Sequence, residues 1–229
     1  MKDFGEFEGR IGFIFEDKAL LRQAFTHRSY INETREEGLE HNERLEFLGD
    51  AVLELVVTNY LYTKYPKKPE GELTAYRSAL VNTASLAIAA SKIGMNDYLL
   101  LSRGEARDTG RARQYILADT FEAFIGALYL DQGYGKASEF IGGNLFPLLD
   151  DIVEKRLWQD AKSNFQEKAQ ERMGITPAYA TLEEIGPDHD KQFVVAVYLK
   201  DDLITKGMGR SKQEAEQDAA RKALETKGW

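Results

Sequence analysis

The stretch His41–Val57, HNERLEFLGDAVLELVV, decides the fold of the first part of this chain. Read as an α-helix at 100° per residue, it separates an apolar face from an acidic one. With Glu43 as the zero of angle, Glu46, Asp50 and Glu54 lie at about −60°, −20° and +20°. The apolar face opposite them comprises Leu45, Leu48, Val52, Leu55 and Val56.

The acidic face has no lysine at its neighbouring positions. Like charges three or four residues apart destabilise a helix by roughly a few tenths of a kcal/mol per pair. Such crowding indicates a bound cation, and carboxylate oxygens favour Mg²⁺ or a similar hard ion. A solvated acidic face on an amphipathic helix is the alternative interpretation.

Phe47 lies at about +40°, on the acidic face and away from the apolar stripe. A large aromatic side chain in that position either packs against a neighbouring element or anchors a partner. The sequence alone leaves both interpretations open.

A second acidic pair interrupts an otherwise apolar helix, predicted over Tyr115–Leu130, YILADTFEAFIGALYL. Asp119 and Glu122 lie about 60° apart on this helix. Charged residues in a buried helix need partners, and a metal ion would serve. The preceding Ser102–Gln114 carries four arginines, which indicate either a solvated surface or contact with a phosphate backbone.

Composition limits the class of protein. The chain has 229 residues, 43% of them hydrophobic, so one large domain or two ordinary ones can form. We expect a cytoplasmic protein, since no stretch is long and apolar enough for a membrane span and the N-terminus is too charged for a secretory signal. The chain has no cysteine, and its net charge of −8 predicts weak non-specific binding to nucleic acid.

The remaining pattern predicts further helices in the first part of the chain. One continuous helix is expected over Glu72–Ile93, ended by Gly94. Another is expected over Gly135–Trp158, with breaks near Gly142–Gly143 and at Pro147.

The composition changes near Gln159–Ser163, where we place a domain boundary. The predicted units are residues 1–158, a short linker at 159–162, and residues 163–229. The second unit reads helix, three strands, helix, so the expected fold class is all-α followed by α+β (α-β-β-β-α). Its elements are Asn164–Met173, Ala178–Glu184, Phe193–Leu199, Leu203–Met208 and Ser211–Leu224.

Motifs in the first unit resemble a known family. Asn42–Leu53, NERLEFLGDAVL, resembles the signature block of the ribonuclease III family. Ala118–Ala123, ADTFEA, is similar to the second family motif, and Thr26–Ser29, THRS, to the end of the first helix. His27 itself is interpreted as structural, because a single histidine at a helix end is more often structural than a ligand.

Residues 163–229 resemble a double-stranded RNA-binding domain. The matching pieces are Phe165–Glu167, Gly186–Asp190 and Gly207–Glu216. Within the last piece, Gln213 departs from the family pattern, which usually has a second lysine there.

The RNA contacts that this resemblance implies fit A-form RNA, whose wide minor groove displays 2′-hydroxyls. Gln166 and Gln170 share one helix face and can reach those hydroxyls, and His189 lies on a loop that could enter the next minor groove. Ser211 and Lys212 begin the last helix, where free backbone N–H groups and a cation receive phosphate.

The resemblance covers almost the entire chain and implies an endoribonuclease that hydrolyses double-stranded RNA by Mg²⁺-activated water, where Mn²⁺ could substitute. It implies 5′-phosphate and 3′-hydroxyl ends, processing of ribosomal and other structured RNA, and a homodimer whose two sites each cut one strand. Carried over by position, the resemblance assigns metal ligation to Glu46, Asp50, Asp119 and Glu122, and catalysis to Asp50 and Glu122. It assigns supporting acid roles to Glu43 and Glu70, and the dimer contact to Phe47.

Two other functions fit parts of the sequence. A non-catalytic regulator would bind double-stranded RNA without cutting it, but the presence of all four carboxylates favours cutting. An all-helical nucleotide pyrophosphohydrolase also spaces acids along helices around Mg²⁺, but the RNA-binding pattern argues against it.

Overall fold

The computed structural model describes residues 2–34, 38–154, 158, 160–187 and 191–229. The chain forms two compact units, Met1–Trp158 and Gln159–Trp229. The predicted fold class is confirmed, since an all-helical unit precedes an α-β-β-β-α unit. Within the described ranges, the helices are too short or too polar to cross a bilayer.

Two long helices and several short ones make up the first unit. Its central helix begins at Glu43 and continues to Lys64, directly before Tyr65 and Pro66. A 3₁₀ turn at Met95–Tyr98 follows the sixth helix. The helices are α1 Phe4–Ile11, α2 Lys18–Ala24, α3 Arg28–Thr34, α4 Glu43–Lys64, α5 Glu70–Leu80, α6 Thr83–Lys92, α7 Arg103–Arg107 and α8 Arg111–Glu154.

The predicted single helix over Glu72–Ile93 is wrong, because α5 and α6 are separate. The Val81 N–H donates to the Arg77 carbonyl and closes α5. The Asn82 side chain then accepts a hydrogen bond from the Ser85 N–H at 3.0 Å and starts α6. An asparagine N-cap of this kind begins a helix even where the surrounding residues favour helix throughout.

The predicted breaks near Gly142–Gly143 and at Pro147 are also wrong. The chain stays helical through these positions, and the kink in α8 lies at Gly133, whose φ is 79°. Leu145 and Leu149 are fully buried on either side of Pro147. Tertiary packing therefore overrides the low helix propensity of glycine and proline there.

The backbones of α4 and α8 touch at two glycines. A Cβ added at Gly49 would overlap the carbonyl oxygen of Glu122, and one added at Gly126 would overlap the carbonyl oxygen of Leu45. Because Gly49 meets Glu122 while Leu45 meets Gly126, the two helices run antiparallel where they cross. Only glycine allows this distance, so the contact fixes how the side chains around it are placed.

Aromatic rings attach the N-terminal helices to α8. The ring centroid of Phe124 lies 5.8 Å from that of Phe7 and 4.7 Å from that of Phe140. Phe25 packs edge-on against Phe7 at 5.0 Å. All four rings are buried, so they form a large part of the apolar core behind the α4–α8 contact.

The second unit is a three-stranded antiparallel sheet with two helices. The strands β1 Ala178–Ile185, β2 Gln192–Leu199 and β3 Asp202–Gly209 pair in the order β1-β2-β3. The helix α9, Ala161–Met173, begins inside the predicted linker because Asp160 caps it. The helix α10, Lys212–Lys227, buries four alanines, and Gly207 lets it approach β3 closely.

The glycine contact predicts opposite effects for two substitutions in α8. Gly126→Ala should destabilise the helical unit by about 1–3 kcal/mol, because the added methyl overlaps the α4 backbone. Gly143→Ala should be neutral or stabilise it by up to about 1 kcal/mol, since a Cβ there meets nothing within 4 Å. Urea unfolding of both variants tests this, and a Gly126→Ala protein as stable as its parent would show that the helices can separate at little cost.

Candidate active site

Three carboxylates from two helices meet beside the α4–α8 contact. Glu46 lies on α4 one turn before Gly49, and Asp119 and Glu122 lie one turn apart on α8. One carboxylate oxygen of each lies within 4.8 Å of the other two. These three residues, the carboxylate cluster, are half-buried, so solvent screens their mutual repulsion less than it would on an open surface.

The pKa values record this repulsion. Burial first, and then neighbouring negative charge, raises the pKa of Glu46 to about 7 and that of Glu122 to about 8. Burial, followed by the charge of Glu43, also raises the pKa of Asp119. Without a cation, the carboxylate cluster therefore retains protons near neutral pH, so it is arranged to hold positive charge.

Asp50, the fourth predicted ligand, lies at the edge of the site. Its side chain is exposed, and it is not one of the three acids whose oxygens meet within 4.8 Å. Its negative charge nevertheless contributes to the raised pKa of both Glu46 and Glu122. The structure thus brings Asp50 near the carboxylate cluster, on the side that faces solvent.

The two predicted supporting acids have different surroundings. Glu43 adds negative charge to the site, and its oxygens lie 3.7 Å from Arg28 Nη1 and 3.7 Å from His41 Nδ1. Glu70 begins α5, accepts a hydrogen bond from the Thr74 hydroxyl at 2.9 Å and lines a different groove. The structure of this chain does not bring Glu70 into the carboxylate cluster.

Glu54 received no functional role from the sequence, although the helical period placed it on the acidic face. Its Oε2 lies 3.0 Å from Arg77 Nε, and Arg77 also donates to the Thr58 hydroxyl at 2.9 Å. The acidic face is therefore neutralised at this end by a cation from α5. Periodicity within α4 could not reveal that partner, because the pairing depends on how α5 packs.

A cavity of about 640 Å³ opens beside the carboxylate cluster. Glu46 and Asp119 form part of its wall. The sequence assigned no role to most of the other residues that line this cavity. They include the hydrogen-bonding side chains of Ser29, Asn32, Asn42 and Tyr115, together with Arg28 and Glu105. Acidic side chains and side chains that can donate hydrogen bonds thus share one cavity, a combination suited to a phosphodiester.

His27 and Ser29 form a local contact in this cavity. Ser29 Oγ lies 2.8 Å from His27 Nδ1 and accepts a hydrogen bond from the Ser102 N–H at 3.1 Å. The Ser29 N–H also donates to His27 Nδ1, and burial lowers the pKa of this histidine. These contacts connect the start of α3 to the residue that caps α7, which supports the structural interpretation of His27.

Phe47 has the exposure expected of an anchor for a partner. Its side chain is 83% exposed on α4, beside a groove of about 610 Å³. Leu20, Leu48 and Leu130 contribute to the apolar lining of that groove. Phe47 therefore does not pack against a neighbouring element of its own chain, which was one of the two interpretations left open by the sequence.

The predicted RNA-contact residues lie on α9 and at the start of α10. Gln166 and Gln170 are both exposed and line one shallow pocket. The Ser211 hydroxyl caps α10, and Lys212 Nζ lies 3.1 Å from Glu184 Oε1. The predicted contact residue His189 falls outside the described residues.

Comparisons with known proteins identify a family match in each of the two units. Residues 17–149 match the family described as Ribonuclease-III-like, and residues 161–227 match the double-stranded RNA binding motif. Ribonuclease 3 of Enterococcus faecalis is 48% identical over 221 residues, which cover 96% of each chain. Ribonuclease 3 of Geobacillus thermodenitrificans is 49% identical over 223 residues, which cover 97% of this chain and 90% of that one.

A solved structure is similar to the helical unit. The nuclease domain of ribonuclease III from Campylobacter jejuni, described with a flexible region involved in dimer formation, aligns at a TM-score of 0.56 and 40% identity. The alignment covers 63% of this chain and 99% of that one. From the full-length relatives and the match over residues 17–149, we conclude that the chain belongs to the ribonuclease III family of endoribonucleases that act on double-stranded RNA.

Proposed function

We propose that this protein cuts both strands of duplex RNA and that it depends on a divalent cation to do so. The observation that carries the proposal is the carboxylate cluster, whose three oxygens lie within 4.8 Å of one another across two helices. The same chain carries a double-stranded RNA binding motif over residues 161–227. Such an enzyme needs a hydrolytic site and a domain that binds duplex RNA.

The donor set fits Mg²⁺. Every donor is a carboxylate oxygen, and hard cations prefer oxygen ligands. The three donor oxygens lie within 4.8 Å of one another, so side-chain movements alone would bring them to one ion. Glu46, Asp119 and Glu122 would hold the ion with help from Asp50, and Mn²⁺, which accepts the same ligands, could replace Mg²⁺.

A bound divalent ion would lower the pKa of water and offset the charge of the scissile phosphate. We assign catalysis to Asp50 and Glu122, which lie on the exposed and the buried side of the site. Water is the proposed nucleophile, since an ion held by the carboxylate cluster would activate it. Its oxygen joins phosphorus while the bond to the 3′ oxygen breaks, leaving 5′-phosphate and 3′-hydroxyl ends.

The second unit would hold the duplex with little sequence preference. The exposed Gln166 and Gln170 would reach 2′-hydroxyls in the minor groove, and His189 would enter the next one. Ser211 and Lys212 would receive a phosphate at the start of α10. The proposed substrates are ribosomal and other structured RNAs, processed in the cytoplasm.

We also propose a homodimer, built on an exposed apolar stripe of α4. Phe47 and Tyr62 are 83% and 73% exposed, and Leu55, which the helical period assigned to the apolar face that packs inward, is in fact 58% exposed. At 100° per residue they lie within about 80° of one another, on one side of the helix. In a two-fold dimer the groove beside Phe47 would receive the Phe47 ring of the second copy. Because α4 also carries Glu46 and Asp50, this arrangement would place two sites along one duplex.

The Glu122→Gln variant should hold duplex RNA without cutting it. The substitution keeps the volume and one carbonyl ligand, but it removes a charge that would hold a hard cation. Cleavage should fall by at least about 100-fold, because ligand charge supports both water activation and leaving-group stabilisation. Binding and cleavage are measured on one preparation with Mg²⁺ present. Cleavage by the parent protein in the same assay would exclude the non-catalytic RNA-binding regulator.

The matched control for this variant is Glu139→Gln, which makes the same change on α8 at an exposed ion pair with Lys136. It should cleave at the parent rate. A Glu122→Gln protein that cleaves as fast as this control would refute the assignment of α8 to the active site.

Glu122→Gln should also change the pH dependence of stability in the metal-free protein. Since the folded-state pKa of Glu122 is about 8, above the ordinary value of 4.5, protonation stabilises the fold at low pH. This stabilisation is lost as the pH rises through the folded pKa. Glutamine cannot ionise, so the melting temperature of the variant should rise relative to that of the parent as the pH increases from about 4.5 to about 8 in a chelator. A constant gap across that range would contradict the burial and charge crowding of this residue.

Phe47→Ala should shift the protein towards monomer. Truncating a buried aromatic anchor destabilises an interface by about 2 kcal/mol or more, which raises the dissociation constant at least about 30-fold. Sedimentation at micromolar concentration measures the shift, with Ile88→Ala as the control because Ile88 is an exposed apolar residue of α6. If Phe47→Ala sediments like the control, this ring is not the dimer contact.

A further inference from the structure

We infer that Arg28 binds a phosphate of the RNA strand that is cut, and that Glu43 is the positioning residue that holds Arg28 in place for it. The inference rests on the proposed function, in which the carboxylate cluster cuts duplex RNA. It gives Glu43 a role toward the substrate instead of a supporting role toward a metal ion.

The cavity beside the carboxylate cluster is rich in negative charge. Four of the side chains that line it are acidic: Glu43, Glu46, Glu105 and Asp119. A polyanion that enters this cavity is repelled unless positive charge offsets theirs. Of the described residues that line the cavity, Arg28 is the only lysine or arginine, so its guanidinium is the permanent cation available to a phosphate there.

The guanidinium of Arg28 keeps its hydrogen-bond donors for a ligand. Arg28 Nη1 lies 3.7 Å from Glu43 Oε1, and the Arg28 side chain is 70% exposed. That distance is too long for a hydrogen bond, so Glu43 attracts the guanidinium without using its donors. A planar guanidinium can then donate two parallel hydrogen bonds to one phosphate, which a lysine cannot do.

Hydrogen bonds hold the two partners of this ion pair in place. The Asn42 N–H donates to the Thr26 carbonyl at 2.9 Å, and the buried Asn42 side chain donates to the Ala24 carbonyl at 3.1 Å. Arg28 begins α3 two residues after Thr26, and Glu43 begins α4 directly after Asn42. The starts of the two helices are therefore fixed to each other, and Glu43 holds Arg28 at the cavity before RNA arrives.

Glu43 lies close to the carboxylate cluster but is not part of it. After burial, the charge of Glu43 is what raises the pKa of Asp119, and it also contributes to the raised pKa of Glu46. Glu43 is not one of the three acids whose oxygens lie within 4.8 Å of one another. Its ion-pair partners are Arg28 and, when protonated, His41. Holding Arg28 fits this position better than metal ligation does.

The test compares Arg28→Gln with Lys136→Gln in the full chain, on an RNA duplex whose cut positions have been mapped. Both variants remove one positive charge from an exposed ion pair of the helical unit, since Lys136 pairs with Glu139. Relative to this control, Arg28→Gln should lower kcat/KM at least about tenfold, because a charged hydrogen bond to phosphate is lost. Arg28→Lys keeps the charge but not the planar fork, so it should recover only part of the loss. Circular dichroism melting establishes that each variant is folded.

The contacted phosphate is found by replacing the phosphates near the cut, one at a time, with neutral methylphosphonates. At one position the replacement should slow the Lys136→Gln control but leave Arg28→Gln unchanged, because that variant has already lost the contact. A purely structural role of Arg28 would instead leave both proteins equally sensitive at every position.

The positioning role of Glu43 is tested by combining two substitutions. Glu43→Gln alone should lower kcat/KM by about two- to fivefold, the range expected for an exposed ion pair. In an Arg28→Gln background it should cause no further loss, because Glu43 acts through Arg28. Losses that multiply would show that Glu43 acts on another group, and would overturn this role.

Cleavage by folded Arg28→Gln at the rate of the Lys136→Gln control would overturn the inference. So would a methylphosphonate scan in which no position distinguishes the two proteins. A parent protein that leaves duplex RNA uncut with Mg²⁺ or Mn²⁺ present would instead overturn the proposed function itself.

Discussion

The backbone contact between α4 and α8 at Gly49 and Gly126 is the constraint on which the site depends. A side chain at either position would overlap the opposite backbone, so the helices can be this close only where both residues are glycine. Glu46 lies within a turn of the crossing on α4, and Glu122 lies directly at it on α8. Their oxygens meet with one from Asp119 within 4.8 Å because the crossing brings the acidic faces of the two helices together.

The proximity of these three carboxylates destabilises the metal-free fold but favours cation binding. Burial first, and then neighbouring negative charge, raises the pKa of each of the three half-buried acids, so ionising them in the metal-free fold is unfavourable. The aromatic core around Phe124 supplies apolar burial behind the site and keeps α8 in place. A bound cation would remove the repulsion, so ligand binding and local stability should be coupled.

The helical period explains why the sequence predicted part of this site. It placed the acids of α4 on one face and paired Asp119 with Glu122, which needs only local geometry. It could not tell that Asp50 lies at the exposed edge, because that depends on the angle of the crossing. Nor could it find the Glu184–Lys212 pair, which joins residues from different elements. The kink at Gly133, by contrast, falls in the predicted gap between a helix ending at Leu130 and one beginning at Gly135.

The most direct test of the account is to locate a divalent ion. Crystals of the metal-free protein soaked in Mn²⁺ would be measured at the manganese absorption edge, where the ion gives an anomalous signal. If the helix crossing builds a metal site, a peak will lie within coordination distance of carboxylate oxygens from Glu46, Asp119 and Glu122. A peak only elsewhere on the molecule, or none at saturating Mn²⁺, would contradict the claim that the helix crossing builds a metal site.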